Sequence, residues 1–175
     1  MSQKVSKWVG ISGSWRVTNP KIENDVRTEV RKIISKGNGI VTGGALNVDY
    51  QATDEVLISG KLDQLKIFLP VSLDLFVNHY QKRAIEGIVT QEQAKDVIKQ
   101  LKTIKKLNPN SIIENMTETI VDKDTYYRRN SEVVNASDEL LAFQVNQSHG
   151  TQDTIDKAKA KGIPVKVFSY QIDVQ

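Results

Sequence analysis

The sequence contains no cysteine, and its only histidines are His79 and His149. The missing cysteines exclude disulfides, thiolate nucleophiles and thiolate metal sites. The two histidines sit in different sequence contexts, so no zinc site is expected. Long apolar runs are also lacking, and the N-terminal Met-Ser-Gln-Lys-Val-Ser-Lys is not followed by one. A signal peptide or transmembrane helix is therefore not expected, and a cytoplasmic protein is. Charge of one sign is scarce too: the net charge is +3. That permits contact with nucleotide or nucleic acid without demanding it. There is no internal repeat and no low-complexity segment.

The 175 residues present are enough to bury one substantial core, so one domain over 1–175 is expected. The first apolar run, Lys7-Trp-Val-Gly-Ile-Ser12, reads as a buried strand ending at Gly13-Ser14. Pro20 stands where a helix can start, and Val26, Val30, Ile33 and Ile34 recur at helical spacing until Gly37. Residues 39–42 read as a second strand. A helical stripe of Val48, Ala52, Val56 and Leu57 follows, then a third strand over 65–69, closed by Pro70. This β-α-β-α-β order argues for parallel strands.

The alternation pauses over about 72–121, which reads as a helical insert. Residues 72–87 look helical. From Thr90 onward Ala94, Val97, Ile98, Leu101, Ile104 and Leu107 share one face until Asn108-Pro109-Asn110 breaks it. The opposite face carries Lys95, Lys99, Lys102 and Lys106, read as a solvated helix face. A phosphate-contacting stripe is the alternative, weakened because no aromatic residues interleave with the lysines. A helix over 122–136, a strand over 139–143, a helix over 151–161 with Gly162 at its C-cap, and a strand over 164–168 complete the pattern.

Chemistry-bearing residues gather where strands hand over to helices. Gly43, Gly44 and Ala45 keep side chains away from a ligand, or serve close helix–strand packing. Ser12, Gly13, Ser14 and Arg16 form a turn whose N–H groups and guanidinium suit phosphate. Gln147, Ser148, His149, Gly150 and Thr151 form the main candidate phosphate cradle, with helix capping as the competing role for Thr151. His149 is an exposed or base-stacking residue rather than a catalytic acid. Trp15 is placed either on a base or under the turn. Asp49 addresses sugar hydroxyls or favours the start of its helix. Asn130 falls on the apolar face of its helix and needs partners, with bracing of a neighbouring loop favoured over ligand contact. Arg129 beside it reaches phosphate or DNA, or lies on the surface. No catalytic residue and no metal ligand is assigned, and no cofactor is required.

Gly10-Ile-Ser-Gly-Ser-Trp-Arg16, Thr42-Gly-Gly-Ala-Leu-Asn-Val-Asp49 with Ala52, Arg129-Asn130, Ala136-Ser-Asp138 and Ser148-His-Gly-Thr151 stand in a familiar order. Together they resemble the SLOG superfamily, which groups Smf/DprA DNA-processing proteins, YpsA-like sensors and LOG-type phosphoribohydrolases. The DprA-like branch is the most similar. The resemblance spans about residues 7–170 and covers 72–121 poorly. It implies a Rossmann-like three-layer α/β/α domain with a mainly parallel sheet and its ligand at the C-terminal strand ends. A nucleotide or nucleotide-derived ligand such as an ADP-ribose-like molecule is implied, with single-stranded DNA as the alternative partner and a homodimer as the assembly. LOG-type enzymes carry Pro-Gly-Gly-x-Gly-Thr-x-x-Glu, whose Glu serves N-glycosidic hydrolysis. Here Asn146-Gln-Ser-His-Gly-Thr-Gln-Asp-Thr154 stands instead, with Thr154 at the Glu position and Asp153 beside it. Hydrolysis of a nucleotide is therefore the third reading, behind binding and DNA handling.

Overall fold

A computed structural model of the protein describes residues 4–173. The strands are β1 (Trp8–Gly13), β2 (Gly39–Thr42), β3 (Leu65–Phe68), β4 (Ile112–Ile113), β5 (Glu139–Val145) and β6 (Val165–Tyr170). The helices are α1 (Pro20–Ser35), α2 (Val48–Ile58), α3 (Leu73–Ile85), α4 (Gln91–Leu107), α5 (Lys123–Asn135) and α6 (His149–Lys161). All strand pairs are parallel, in the order β4-β3-β2-β1-β5-β6. The chain walks outward from β1 to β4, then returns to lay β5 on the other side of β1. The direction reverses between β1 and β5, and in an open parallel sheet the crevice at such a point is where ligands bind.

Local sequence explains the elements. Asn19 caps α1 by accepting from Ile22 N at 2.9 Å, with Pro20 inside the start. Ile22, Val26, Val30 and Ile34, spaced by four, are the buried stripe of α1. Thr90 and Gln93 form a reciprocal capping box on α4, and Asp122 and Thr125 form another on α5. Gly162 closes α6 in the left-handed conformation, φ 79°. In β1, Val9 and Ile11 face the larger core with Ile40, Ile67, Leu141 and Phe143 and the inner faces of α1, α2 and α4. Leu140 and Ala142 face the other way, against Val134, Ile155 and Ala158 of α5 and α6. The sheet is thus sandwiched between helical layers, the three-layer Rossmann-like α/β/α architecture that the resemblance implies, with the parallel strands that the β-α-β order predicts.

Residues 72–121 hold more than helices. α3 and α4 pack on each other, and the chain then adds β4, which pairs with β3 through Ile67–Ile112 and Phe68–Ile113. Two residues are too short for a periodic signal, which is why the sequence pattern shows no strand after Asn108-Pro109-Asn110. The last strand runs on to Tyr170, because Phe168 stacks on Phe143 at 4.7 Å and Tyr170 donates to Asp25 of α1 at 2.9 Å. No helix among the described residues is long and apolar enough to cross a membrane.

Candidate functional site at the C-terminal strand ends

The turn after β1 is held by close packing. A Cβ on Gly13 would meet Val48 Cβ at 2.7 Å, so glycine lets the start of α2 approach. Ser14 is buried, and its hydroxyl accepts from the backbone N–H groups of Arg16 and Val17, each at 3.3 Å. That turn presents Trp15 and Arg16 to solvent, the guanidinium 4.9 Å from the indole centroid. No carboxylate among the described residues pairs with Arg16. Ser12 is half-buried on β1, beside Ala142 of β5.

The turn after β2 is organised by a buried carboxylate and a buried guanidinium, both held to the Gly43 backbone. Asp49, 7% exposed, accepts from Gly43 N and Ala45 N, each at 3.2 Å. Burial pushes its carboxyl above the ordinary range, and the Arg129 charge with those two N–H groups opposes the rise. Arg129 is 8% exposed, so it is not a surface arginine. Its guanidinium donates to the Gly43 carbonyl and, at 3.2 Å, to Asn130 Oδ1, and lies 5.3 Å from the Tyr126 ring centroid. A Cβ on Gly43 would collide with that guanidinium. Gly43 therefore makes room for Arg129 within the protein. Gly44 has φ +70°, and a Cβ there would meet Leu69 at 2.8 Å. Asp49, turned inward, fixes the turn; the same hydrogen bonds supply its role at the start of α2.

The loop after β5 has a different character. Asn146 and Gln147 adopt positive φ, 49° and 53°, and Asn146 anchors the loop by exchanging hydrogen bonds with the Ile172 backbone at 2.7 and 2.8 Å. Ser148 caps α6: its hydroxyl lies 3.5 Å from Thr151 N and 3.2 Å from the Thr151 hydroxyl. Gln147, His149 and Gly150 are exposed, while Thr151 is buried. The N–H groups of His149 and Gly150 open α6, where no intrahelical acceptor reaches them. A Cβ on Gly150 would meet nothing within 4 Å, so packing does not demand glycine there. Its effect is bare backbone at a helix N-terminus, where anions are favoured.

Asn130 joins the two turns. Its amide donates to Asp153 at 3.0 Å and toward the Gly150 carbonyl at 3.5 Å, while its oxygen accepts from Arg129. This is the bracing role expected for a buried amide. Asp153 also takes Lys157 at 2.8 Å. Thr154 is buried and donates to the Gly150 carbonyl at 3.1 Å. Neither residue leaves a free carboxylate facing the loop.

Because β1 lies between β2 and β5, the structure brings turns 13–16, 43–47 and 146–151 to one edge of the sheet. It sorts them by role. Arg16, Gln147, Ser148, His149 and Gly150 face outward, whereas Ser14, Gly43, Asp49, Arg129, Asn130 and Thr151 form the frame behind them. Sequence reasoning passed over Asn47, the N-cap of α2, at φ 61° and ψ −106°. Its amide donates to the Trp15 carbonyl at 2.6 Å, tying the first two turns together. An asparagine between strand and helix, where positive φ is tolerated, was the available signal. Tyr80 of α3, whose hydroxyl accepts from Leu46 N at 3.1 Å, also belongs to this frame. Next to it, His79 Nε2 and the Tyr126 hydroxyl are 3.2 Å apart, and burial lowers the His79 pKa to about 4.

No family model and no curated protein matches the sequence. Solved structures do match, and at the identities they show, what they establish is a shared Rossmann-like fold. DNA processing protein A from Helicobacter pylori, described for its single-stranded DNA binding mode, superposes with a TM-score of 0.67 at 23% identity, over 93% of this chain and 65% of that one. DNA processing protein A (DprA) from Streptococcus pneumoniae gives 0.63 at 17% identity, over 92% of this chain and 50% of that one. A structural-genomics target, TM1055, gives 0.52 at 16% identity, over 91% and 72%. This chain therefore spans about two thirds and half of the two DNA processing proteins, and what it shares with them is the fold.

Proposed function

We propose that the protein binds a nucleotide or nucleotide-derived ligand through its phosphate at the start of α6. The observation that carries this reading is the bare backbone at Gly150: exposed, unconstrained by packing, and beside two helix-opening N–H groups. Arg16, without an ion-pair partner among the described residues, supplies positive charge and two-pronged hydrogen bonding. Trp15 offers a face for a base. The frame of Asp49, Arg129 and Asn130 fixes the spacing of these groups, so little ordering is required on binding. Calorimetry with AMP, ADP, ADP-ribose and unphosphorylated adenosine tests the reading. Heat from the phosphorylated compounds alone supports it; no heat from any of them removes it.

A second reading, binding of single-stranded DNA, is favoured by a separate observation. Lys95, Lys99, Lys102 and Lys106 are exposed along α4, and none is ion-paired among the described residues. The fold neighbour from H. pylori is described as binding such DNA. Anisotropy with a labelled oligothymidine distinguishes the two: a salt slope that shrinks when these lysines become Gln supports DNA binding, and no binding at low salt eliminates it. Hydrolysis of an N-glycosidic bond is the weakest reading, since Asp153 is held by Asn130 and Lys157. Absence of base release from nucleoside monophosphates at high protein concentration excludes it. The homodimer belongs to the same resemblance, and sedimentation equilibrium giving a monomer mass would exclude it.

A further inference from the structure

A cleft of about 200 Å³ opens on the α1, α2 and α4 side of the sheet. Its walls include Leu46, Tyr50, Gln51, Glu23 and Asp96, and none of its lining comes from the 146–151 loop. Gln51 is the unusual member. It is 4% exposed, its Nε2 donates to the Thr18 hydroxyl at 3.1 Å, and its buried Oε1 has no partner. A buried acceptor without a donor calls for a group from outside the chain.

The surrounding charge indicates which group. Asp96 has no ion-pair partner among the described residues, and Glu23 shares the cleft with it. Arg27, the nearby cation, is engaged by Glu23, Asp54 and Glu55. Tyr50 registers the negative field: its phenol pKa is raised by burial and then by Asp54 and Asp96. The starts of α1 and α4 favour anions in principle, but Asn19 and Thr90 cap them, and the cleft meets Glu23 in the first turn of α1 and Asp96 beyond the first turn of α4. The chain as a whole is positive, so this acidity is local. No group of three or more His, Asp or Glu among the described residues is placed to hold a metal ion. What fits is an N–H-bearing organic cation with an apolar tail, the ammonium meeting Gln51 and Asp96, the tail lying on Leu46 and the Tyr50 ring.

We propose that this cleft is a binding site for a primary alkylammonium group, separate from the phosphate site at α6. Calorimetry with n-butylammonium chloride, against tetramethylammonium chloride at equal ionic strength, tests it. The butyl compound saturates one site, and the tetramethyl compound, which has no N–H, does not. Asp96→Asn on the exposed face of α4, and independently Gln51→Leu, each weaken binding about tenfold or more. Asp96→Asn leaves nucleotide binding unchanged, which separates this site from the one above. Equal heats from both cations, or a butylammonium isotherm unchanged in both variants, overturns the proposal, as does a wild-type protein that gives no saturable binding because Gln51 Oε1 holds only water.

Discussion

Removing Arg129 should cost more than removing the nearby Asp49 charge. In Arg129→Met, Asp49 stays 7% exposed with only the Gly43 and Ala45 N–H groups to answer its charge. The variant also leaves the Gly43 carbonyl and Asn130 Oδ1 without their charged donor, and together these losses cost about 3–5 kcal/mol. For a chain of this size that lowers Tm by roughly 6–20 °C. In Asp49→Asn the amide oxygen can still accept from both N–H groups. Arg129 keeps the Gly43 carbonyl, Asn130 and the Tyr126 face. The loss there is closer to one charged hydrogen bond, about 1.5–3 kcal/mol. The double variant should be more stable than Arg129→Met alone. The pH dependence has a definite sign. Asp49 has a folded pKa above its unfolded value, so its contribution is most favourable below the unfolded pKa and is lost as pH rises through the folded pKa. Without Arg129 the folded pKa climbs further, so acidification toward pH 4 should recover part of the lost stability. Urea unfolding of the variants at neutral and mildly acidic pH measures all of this. If Arg129→Met proves no worse than Asp49→Asn, or does not recover in acid, the Arg129 guanidinium is not what holds the turn.

Gly44→Ala should destabilise the fold by roughly 1–3 kcal/mol, since it combines positive φ with a clash against Leu69; thermal melts should show a smaller loss for Gly87→Ala, where φ is +73° but the space is open. His79 should titrate near pH 4 by NMR, and its contribution to stability, present above the ordinary histidine range, should fade as pH drops through that value; a midpoint near 6.5 would refute the burial argument. Ser148→Ala should cost about 0.5–1 kcal/mol, the low end for a cap, because its bond to Thr151 N is long at 3.5 Å. The same variant should weaken nucleotide binding measurably, and calorimetry that finds wild-type affinity would take Ser148 out of the site.

What the sequence disclosed and what it hid divide along physical lines. Long elements with regular periods, such as α1 and α4, declare themselves because burial demands a repeating stripe. The handover turns are legible because glycine and small polar residues cluster there for steric and hydrogen-bonding reasons. β4 was hidden because two residues carry no period, and its place depends on β3 far away in the chain. The division of labour within the site was hidden for a related reason. Arg16 and Arg129 are chemically identical in a sequence, yet one is exposed and the other is buried across 86 residues of chain from the carbonyl it binds. Only the packing of α5 against the β2 turn decides which of them a ligand can meet.

That division bears on whether the site binds or cleaves. A hydrolase needs a carboxylate held close to the bond it breaks, free of other partners until substrate arrives. At the start of α6 the position that could supply one is Thr154, and its hydroxyl is turned onto the Gly150 carbonyl. The neighbouring Asp153 is neutralised by Lys157 and hydrogen-bonded by Asn130, which in turn holds Arg129 and through it the β2 turn. The polar groups nearest the loop are thus consumed in setting its shape. Freeing Asp153 would unpick the frame that positions the exposed backbone, so loop order and a reactive carboxylate compete for the same residue. If the proposed anion site is right, this competition predicts that Thr154→Glu, rather than activation of Asp153, is the change that would add a hydrolytic carboxylate, and base release from nucleoside monophosphates measures it.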